Sequence, residues 1–316
     1  MYLFFSPLAR WSYQTALFVW TTISALMYGV CCAIVWRNCP RIRHDWSTVV
    51  VAAAASPAFF NLLLHGQTSA LALACLTGGY IALEKRKPFL AGLALGMLVY
   101  KPQLGIVAAA VFVLGCEWRV VAGAIAAGAA QLSAAWMYFG TEGMKAYGRA
   151  LLSIGRVNDL LAIKAYQMHS LSAFWQLLLP FDTVAFIMYV VSALAVATLA
   201  VTAWRSRAPL SLRYSLLLLA TALVSPHLYV YDLVILAPAF LLITDWTLAH
   251  SDDRLTPGIQ RLLYLSYALP LIGAATKLTH VQLSVVAMAI LSVMVARAAR
   301  QNSSEGHAAS AEPATI

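Results

Sequence analysis

Four short polar clusters interrupt an otherwise apolar chain, and each holds groups that bind anions, sugar hydroxyls or protons. They are His65-Gly66-Gln67, Lys101-Pro102-Gln103, Lys164 to Ser170, and Ser225-Pro226-His227 through Tyr231-Asp232. Lys101 is the sharpest signal. It follows the apolar run Phe89 to Tyr100 and precedes Pro102, with another apolar run beyond, so its ammonium must face a cavity, a partner or the membrane interface. A lysine at mid-membrane costs on the order of 2.5 to 3.5 kcal/mol on insertion scales, and residues that carry such a cost tend to be functional. The chemistry that suits it is pairing with an anionic substrate group such as a lipid phosphate. The plainer alternative is snorkelling to the headgroups.

The cluster Ser225 to Asp232 sets polar and titratable groups beside a helix-breaking proline. Pro226 is expected to open the end of its helix and leave backbone carbonyls free for a ligand or water. His227 and Asp232 suit sugar hydroxyls or proton exchange, since imidazole titrates near neutrality. The structural alternative is a turn in which Asp232 caps the next helix. His65 and Gln67 flank a glycine that alone suffices for a turn between two apolar helices, so both side chains are surplus to that role and available for hydrogen bonds to a polar substrate. Gln167, His169 and Ser170 beside aromatic residues suit a carbohydrate or headgroup surface, or an ordinary solvated loop. No HExxH, DxD or cysteine pair accompanies these histidines, so neither a metal nor a cofactor is expected.

The elements that position these clusters are membrane helices. Apolar residues make up 62% of the chain against about 45 to 50% in soluble domains, which leaves too little polar surface to clothe a globule. About eleven apolar segments of roughly spanning or shorter length lie between Tyr13 and Ala298. Phe89 to Tyr100 and Leu104 to Cys116 are short and are expected to be broken or tilted helices meeting at Lys101-Pro102. The fold class is therefore an all-α polytopic helix bundle, a single domain over residues 1–300 with a polar, disordered cytoplasmic tail over 301–316. The longest extramembrane stretch, residues 140–182, contains a candidate interfacial helix at Leu171 to Leu179.

The net charge of +9 determines topology here and does not mark nucleic-acid binding, since no basic stripe interleaved with aromatics exists. Fourteen basic residues, from Arg37, Arg41 and Arg43 to Arg297 and Arg300, fall in one set of connectors. Seven fall in the other, four of them in the long loop. The first set is thus expected in the cytoplasm and all four polar clusters on the outer side. Cys31, Cys32, Cys39, Cys75 and Cys116 lack paired spacing and read as reduced packing residues.

The clusters, in this order, resemble the family 87 glycosyltransferases, once labelled domain of unknown function 2029. Phe5-Ser6-Pro7-Leu8 with Trp20, His65-Gly66-Gln67, Ala91-Gly92, Lys101-Pro102-Gln103, Gln167 to Leu171, Ser225-Pro226-His227 and Tyr231-Asp232 carry the likeness, which extends to about Leu242. The resemblance implies a GT-C-class fold and a hexosyltransferase that moves mannose from a polyprenyl-phosphate donor to a lipid-linked or cell-envelope glycan acceptor. It places the protein in the inner (plasma) membrane, surrounded by membrane lipids, with its active face periplasmic or extracellular. The substrate-binding set is then Lys101, Gln103, His65, Gln67, His169, His227 and Tyr231, with Asp232 as the candidate catalytic carboxylate. Enzymes of this class carry an essential Asp or Glu in the first outer loop, whereas residues 1 to 12 contain neither. A start at an internal methionine, loss of the first helix and loop, and takeover by Glu142, Asp159, Asp182 or Asp232 are the alternatives. A catalytically inactive relic or partner and a transporter or flippase of lipid-linked sugars are the rival functions.

Overall fold

The computed structural model describes residues 5–157 and 164–311. These residues form helices and short connectors, with no strand among them and one isolated antiparallel bridge between Met168 and Tyr229. Helices suit a chain this apolar because they satisfy their own backbone polar groups in hydrocarbon. In order they are α1 (Tyr13–Arg37), α2 (Trp46–Ala54), α3 (Pro57–His65), α4 (Ser69–Glu84), α5 (Pro88–Gly96), α6 (Pro102–Leu114), α7 (Trp118–Val157), α8 (Leu171–Leu178), α9 (Asp182–Trp204), α10 (Leu210–Val224), α11 (Ala237–Ala249), α12 (Thr256–Ala268) and α13 (Leu283–Ala311). A single helical turn, Thr276–Thr279, precedes α13, and of the five 3-10 segments among the described residues Met97–Tyr100, Val230–Leu236 and Leu269–Ala275 join or extend the helices.

By length and composition, five helical stretches can cross a membrane: Tyr13–Arg37, Trp118–Ala150, Asp182–Trp204, Val230–Ala249 and Leu283–Asn302. The pair α2 and α3, bent by 48°, makes a sixth. The bend falls at Ala55-Ser56, and Pro57 then starts α3 at a position where a missing N–H costs nothing. Four shorter apolar helices, Ser69–Glu84, Pro88–Tyr100, Pro102–Leu114 and Leu210–Val224, account for most of the other expected segments. They are short because they begin or end at the polar clusters.

Helix α10 forms the centre of the bundle. Every residue from Tyr214 to Leu223 is buried, as expected of a helix that is apolar all round, and α6, α9, α11 and α13 pack around it. The Tyr214 hydroxyl donates to Leu76 O at 2.6 Å, which ties α10 to α4. A second close contact joins α5 and α7. A Cβ at Gly92 would lie 2.0 Å from Val120 O, and one at Gly123 would lie 2.2 Å from Phe89 O, so the two backbones approach as only small residues allow.

Two boundaries differ from the sequence-based expectation. The long connector was expected to begin at Gly140, but α7 runs on to Val157, broken only at Gly140 itself (φ 68°, ψ 179°), a conformation open chiefly to glycine. Helix α13 continues through Gln301, where a disordered tail was expected, as far as Ala311; the stretch Gln301 to Glu305 holds no glycine or proline to stop it. The five cysteines are free, with Cys31, Cys32 and Cys39 buried.

Candidate functional site

Three chain breaks converge at one end of the bundle. Gly66, in the left-handed region at φ 56°, closes α3, and Gln67 N–H returns to Leu62 O, a Schellman-type stop. Trp20 Nε1 on α1 donates to Gly66 O at 2.9 Å, so the turn is anchored from a second helix. Ser69 then starts α4. Lys101 occupies the break between Met97–Tyr100 and α6 with an extended-side backbone (φ −130°, ψ 68°), as proline at the next position requires. Asp232 lies in the 3-10 segment that follows α10.

The side chains of these breaks form a compact ionic cluster. Lys101 Nζ lies 2.6 Å from Asp232 Oδ1 and donates to Ser69 Oγ at 2.9 Å. Ser69 Oγ donates to the same carboxylate oxygen at 2.6 Å. The other oxygen, Oδ2, accepts Tyr229 N–H at 3.3 Å, and Asp232 N–H returns to Tyr229 O at 2.9 Å. Asp232 thus braces its own helix start, the structural alternative raised from sequence, and also pairs with a cation. Side-chain exposure is 14% for Lys101 and 7% for Asp232, so the pair is nearly dehydrated, a state tolerated only when further hydrogen bonds complete it. Ser69 and Tyr229 N–H supply them.

An aromatic wall flanks the cation. Lys101 Nζ lies 5.8 Å from the Tyr231 ring centroid, within cation–π range. Tyr231 stacks on Tyr229 at 5.4 Å and lies 5.7 Å from the exposed His65 ring. His65 Nδ1 is bonded within its own helix to Asn61 O. Tyr100, next to Lys101, donates from its hydroxyl to Thr68 O at 3.1 Å. Gln67 and Gln103 are half-buried beside the two breaks. Half-buried His227 has an enclosed Nδ1 that makes no hydrogen bond among the described residues, and burial pushes its pKa down. Placed together, then, are Lys101, Asp232, Tyr231 and His65.

His169 is placed differently. It is fully buried, its N–H donates to Leu228 O at 2.7 Å, and its Nδ1 lies 2.6 Å from Ser284 Oγ. Burial pushes its pKa down to about 4. Several carbonyls on either side of Pro226, at the helix end the proline was expected to open, are engaged within the protein. Val224 O accepts from the Tyr189 hydroxyl, His227 O from Ser225 Oγ, Leu228 O from His169 N–H and Tyr229 O from Asp232 N–H. Of the alternative carboxylates, Glu142 is exposed and paired with Lys145 at 2.9 Å, Asp182 is exposed at the start of α9, and Asp159 lies outside the described residues.

An apolar groove reaches Leu233 and Val234, the residues that follow Asp232 in the chain. It has a volume of about 860 Å³ and runs between α2 on one side and α11 and α12 on the other. Val51, Phe240, Leu263 and Tyr267 line it, with Asp45, Thr247, Leu233 and Val234 also in its wall. Neither Ser69 nor this groove was expected from sequence. A serine at a helix start reads as an ordinary cap, and a groove formed by helices far apart in the chain leaves no local periodicity.

Residues 1–226 match the model of glycosyltransferase family 87. The chain belongs to this family and is a membrane glycosyltransferase. No curated protein and no solved structure matches it.

Proposed function

We propose that this chain transfers a hexosyl group, mannosyl by preference, from a polyprenyl-phosphate donor to a lipid-linked or cell-envelope glycan acceptor. The reaction takes place at the bundle end that holds Lys101 and Asp232, which faces outward from the inner membrane. The observation that carries this reading is the nearly buried ammonium of Lys101, held by Ser69 and Asp232 at the helix breaks. An ammonium has three donors, and Lys101 spends two of them on Ser69 and Asp232. The third is open to a phosphate oxygen.

As the bond from sugar to phosphate breaks, negative charge grows on the departing lipid phosphate, and a fixed cation stabilises charge where it develops. Asp232 orients the ammonium through Oδ1. Its Oδ2, with one long bond, keeps capacity to accept a proton from the acceptor hydroxyl. Tyr231, Tyr229 and His65 offer ring faces and polar edges to the sugar, and Gln67, Gln103 and His227 add hydrogen-bonding groups around them. The groove suits a lipid chain longer than one leaflet. From Leu233 to Leu248 the backbone, 3-10 as far as Leu236 and α-helical beyond, rises about 24 Å at about 2.0 and 1.5 Å per residue, against about 15 Å for half of a 30 Å hydrocarbon core.

The test uses the purified protein in nanodiscs, with polyprenyl-phosphate mannose as donor, and measures binding and transfer separately. Saturable binding that weakens in Lys101→Met and in Tyr231→Leu is expected. Equal binding by wild type and both variants would overturn the reading.

A further inference from the structure

The segment that carries Asp232 is held by Met168 to Ser170, which are themselves gripped from a part of the chain beyond the matched region. Met168, His169 and Ser170 lie as a short extended stretch along Pro226 to Tyr229. Met168 bridges to Tyr229, His169 N–H donates to Leu228 O at 2.7 Å, and Ser170 Oγ lies 3.5 Å from Pro226 O. The opposite side of the same stretch is gripped by the start of α13. Gln282 Nε2 donates to Met168 O at 2.6 Å, and His169 Nδ1 meets Ser284 Oγ at 2.6 Å. Thr276 Oγ1 in turn donates to Gln282 Oε1 at 2.7 Å.

Each of these groups is buried: His169, Ser170, Thr276, Gln282 and Ser284 all have exposures of 3% or less. Hydrogen bonds among buried polar groups favour one arrangement; here they engage His169 through Nδ1 and its backbone N–H, while the buried Nε2 has no hydrogen-bond partner among the described residues. Gly273 completes the seat, because a Cβ there would lie 3.2 Å from His169 Cε1 and 3.3 Å from Nε2. A side chain at this position of the 3-10 segment before α13 would therefore crowd the imidazole by a few tenths of an ångström. The brace thus spans three regions of the chain, and Thr276, Gln282 and Ser284 lie well beyond residue 226, where the family match ends.

We infer that His169, Gln282 and Ser284 are positioning residues which set the Leu228 to Asp232 segment, so that the C-terminal helix α13 determines how Asp232 presents Lys101 to the donor. The consequence for transfer rests on the donor reading above; the brace itself does not. His169 acts through its Nδ1 side and backbone, with its ring turned into the protein and away from the sugar.

Two measurements separate these claims. Amide hydrogen exchange of the full-length protein in nanodiscs reads the brace without reference to activity. His169→Leu and Gln282→Met each remove interior hydrogen bonds, and loss of one such bond speeds local opening by about tenfold. Exchange at Tyr229 and Asp232 is expected to accelerate by this factor, with the amides of α5 and α7 unchanged as an internal check on folding. His169→Asn, whose amide reaches the position of Nδ1, is expected to restore wild-type exchange and most of the transfer rate. With polyprenyl-phosphate mannose as donor, His169→Leu and Gln282→Met should raise the donor KM more than they lower kcat. Unchanged exchange at Tyr229 and Asp232 in both His169→Leu and Gln282→Met would overturn the inference. So would a His169→Asn variant as impaired as His169→Leu, since the ring would then act through Nε2. Failure of the donor reading appears separately, as accelerated exchange without any effect of Lys101 on donor binding.

Discussion

Lys101 and Asp232 stand 131 residues apart in the chain and meet at 2.6 Å in the interior of the bundle end. The ammonium that had to find a cavity, a partner or the interface has a partner. This pairing changes what substitution at Lys101 is expected to do. Removing one member of a buried pair strands the other charge, which typically costs about 3 to 5 kcal/mol. Lys101→Met and Asp232→Leu are each expected to lower thermal stability in detergent by such an amount, while the double variant that combines the two recovers much of it. Additive losses in this double-mutant cycle would show that the pair is not coupled.

Ser69 serves the same carboxylate oxygen from the third break. Ser69→Ala removes a hydrogen bond to a charged group, a loss of about 1.5 to 3 kcal/mol, and leaves Lys101 to satisfy Asp232 Oδ1 alone. Folded protein with transfer reduced on the order of tenfold or more is expected, with Ser69→Thr partly active because the hydroxyl remains. Full activity in Ser69→Ala, measured at saturating and limiting donor, would remove Ser69 from the site.

The sequence exposed the class of this protein and the places where its helices break. Apolar composition and the basic connectors pointed to a membrane bundle, and Lys101-Pro102, Gly66 and Pro226 marked the breaks through local backbone chemistry. The partnerships across those breaks were not legible. Nothing about Ser69, 163 residues from Asp232, distinguishes it from any capping serine, and Gln282 and Ser284 look like the ordinary start of a last helix. His169 illustrates the limit best: its neighbours Gln167 and Ser170 suggested a polar surface, whereas tertiary packing buries the ring completely. The extension of α7 past Phe139 escaped notice for a simpler reason. Gly140 reads as a stop, and here it is a kink between two helical stretches.

The α5–α7 contact gives a prediction independent of function. Gly92→Ala and Gly123→Ala would each place a methyl within about 2 Å of backbone oxygen, which no side-chain rotation relieves. Both are expected to lose stability by more than the 1 to 3 kcal/mol usual for overpacking, seen as lower detergent melting temperatures or loss of folded protein. Gly105→Ala is the control, since its new methyl would meet nothing nearer than Leu98 Cβ at 4.0 Å. Equal melting temperatures for Gly92→Ala and Gly105→Ala would contradict the close backbone approach.

His169 gives the protein a specific sensitivity to acid. The groups around its ring are Ser284, Gly273 and the Leu228 carbonyl, none of which titrates in this range. Burial holds the folded-state pKa at about 4, below the unfolded value near 6.5. Between these two values the unfolded chain binds a proton that the folded chain does not, so stability rises with pH through this window. The contribution is fully present above about pH 6.5, falls as pH is lowered toward 4, and amounts at most to about 3 kcal/mol at 1.36 kcal/mol per unit. His169→Asn should therefore flatten the dependence of melting temperature on pH between about 4 and 6.5 relative to wild type. Parallel curves for the two proteins across this window would show that His169 is not held neutral by its seat between α13 and the Leu228 segment.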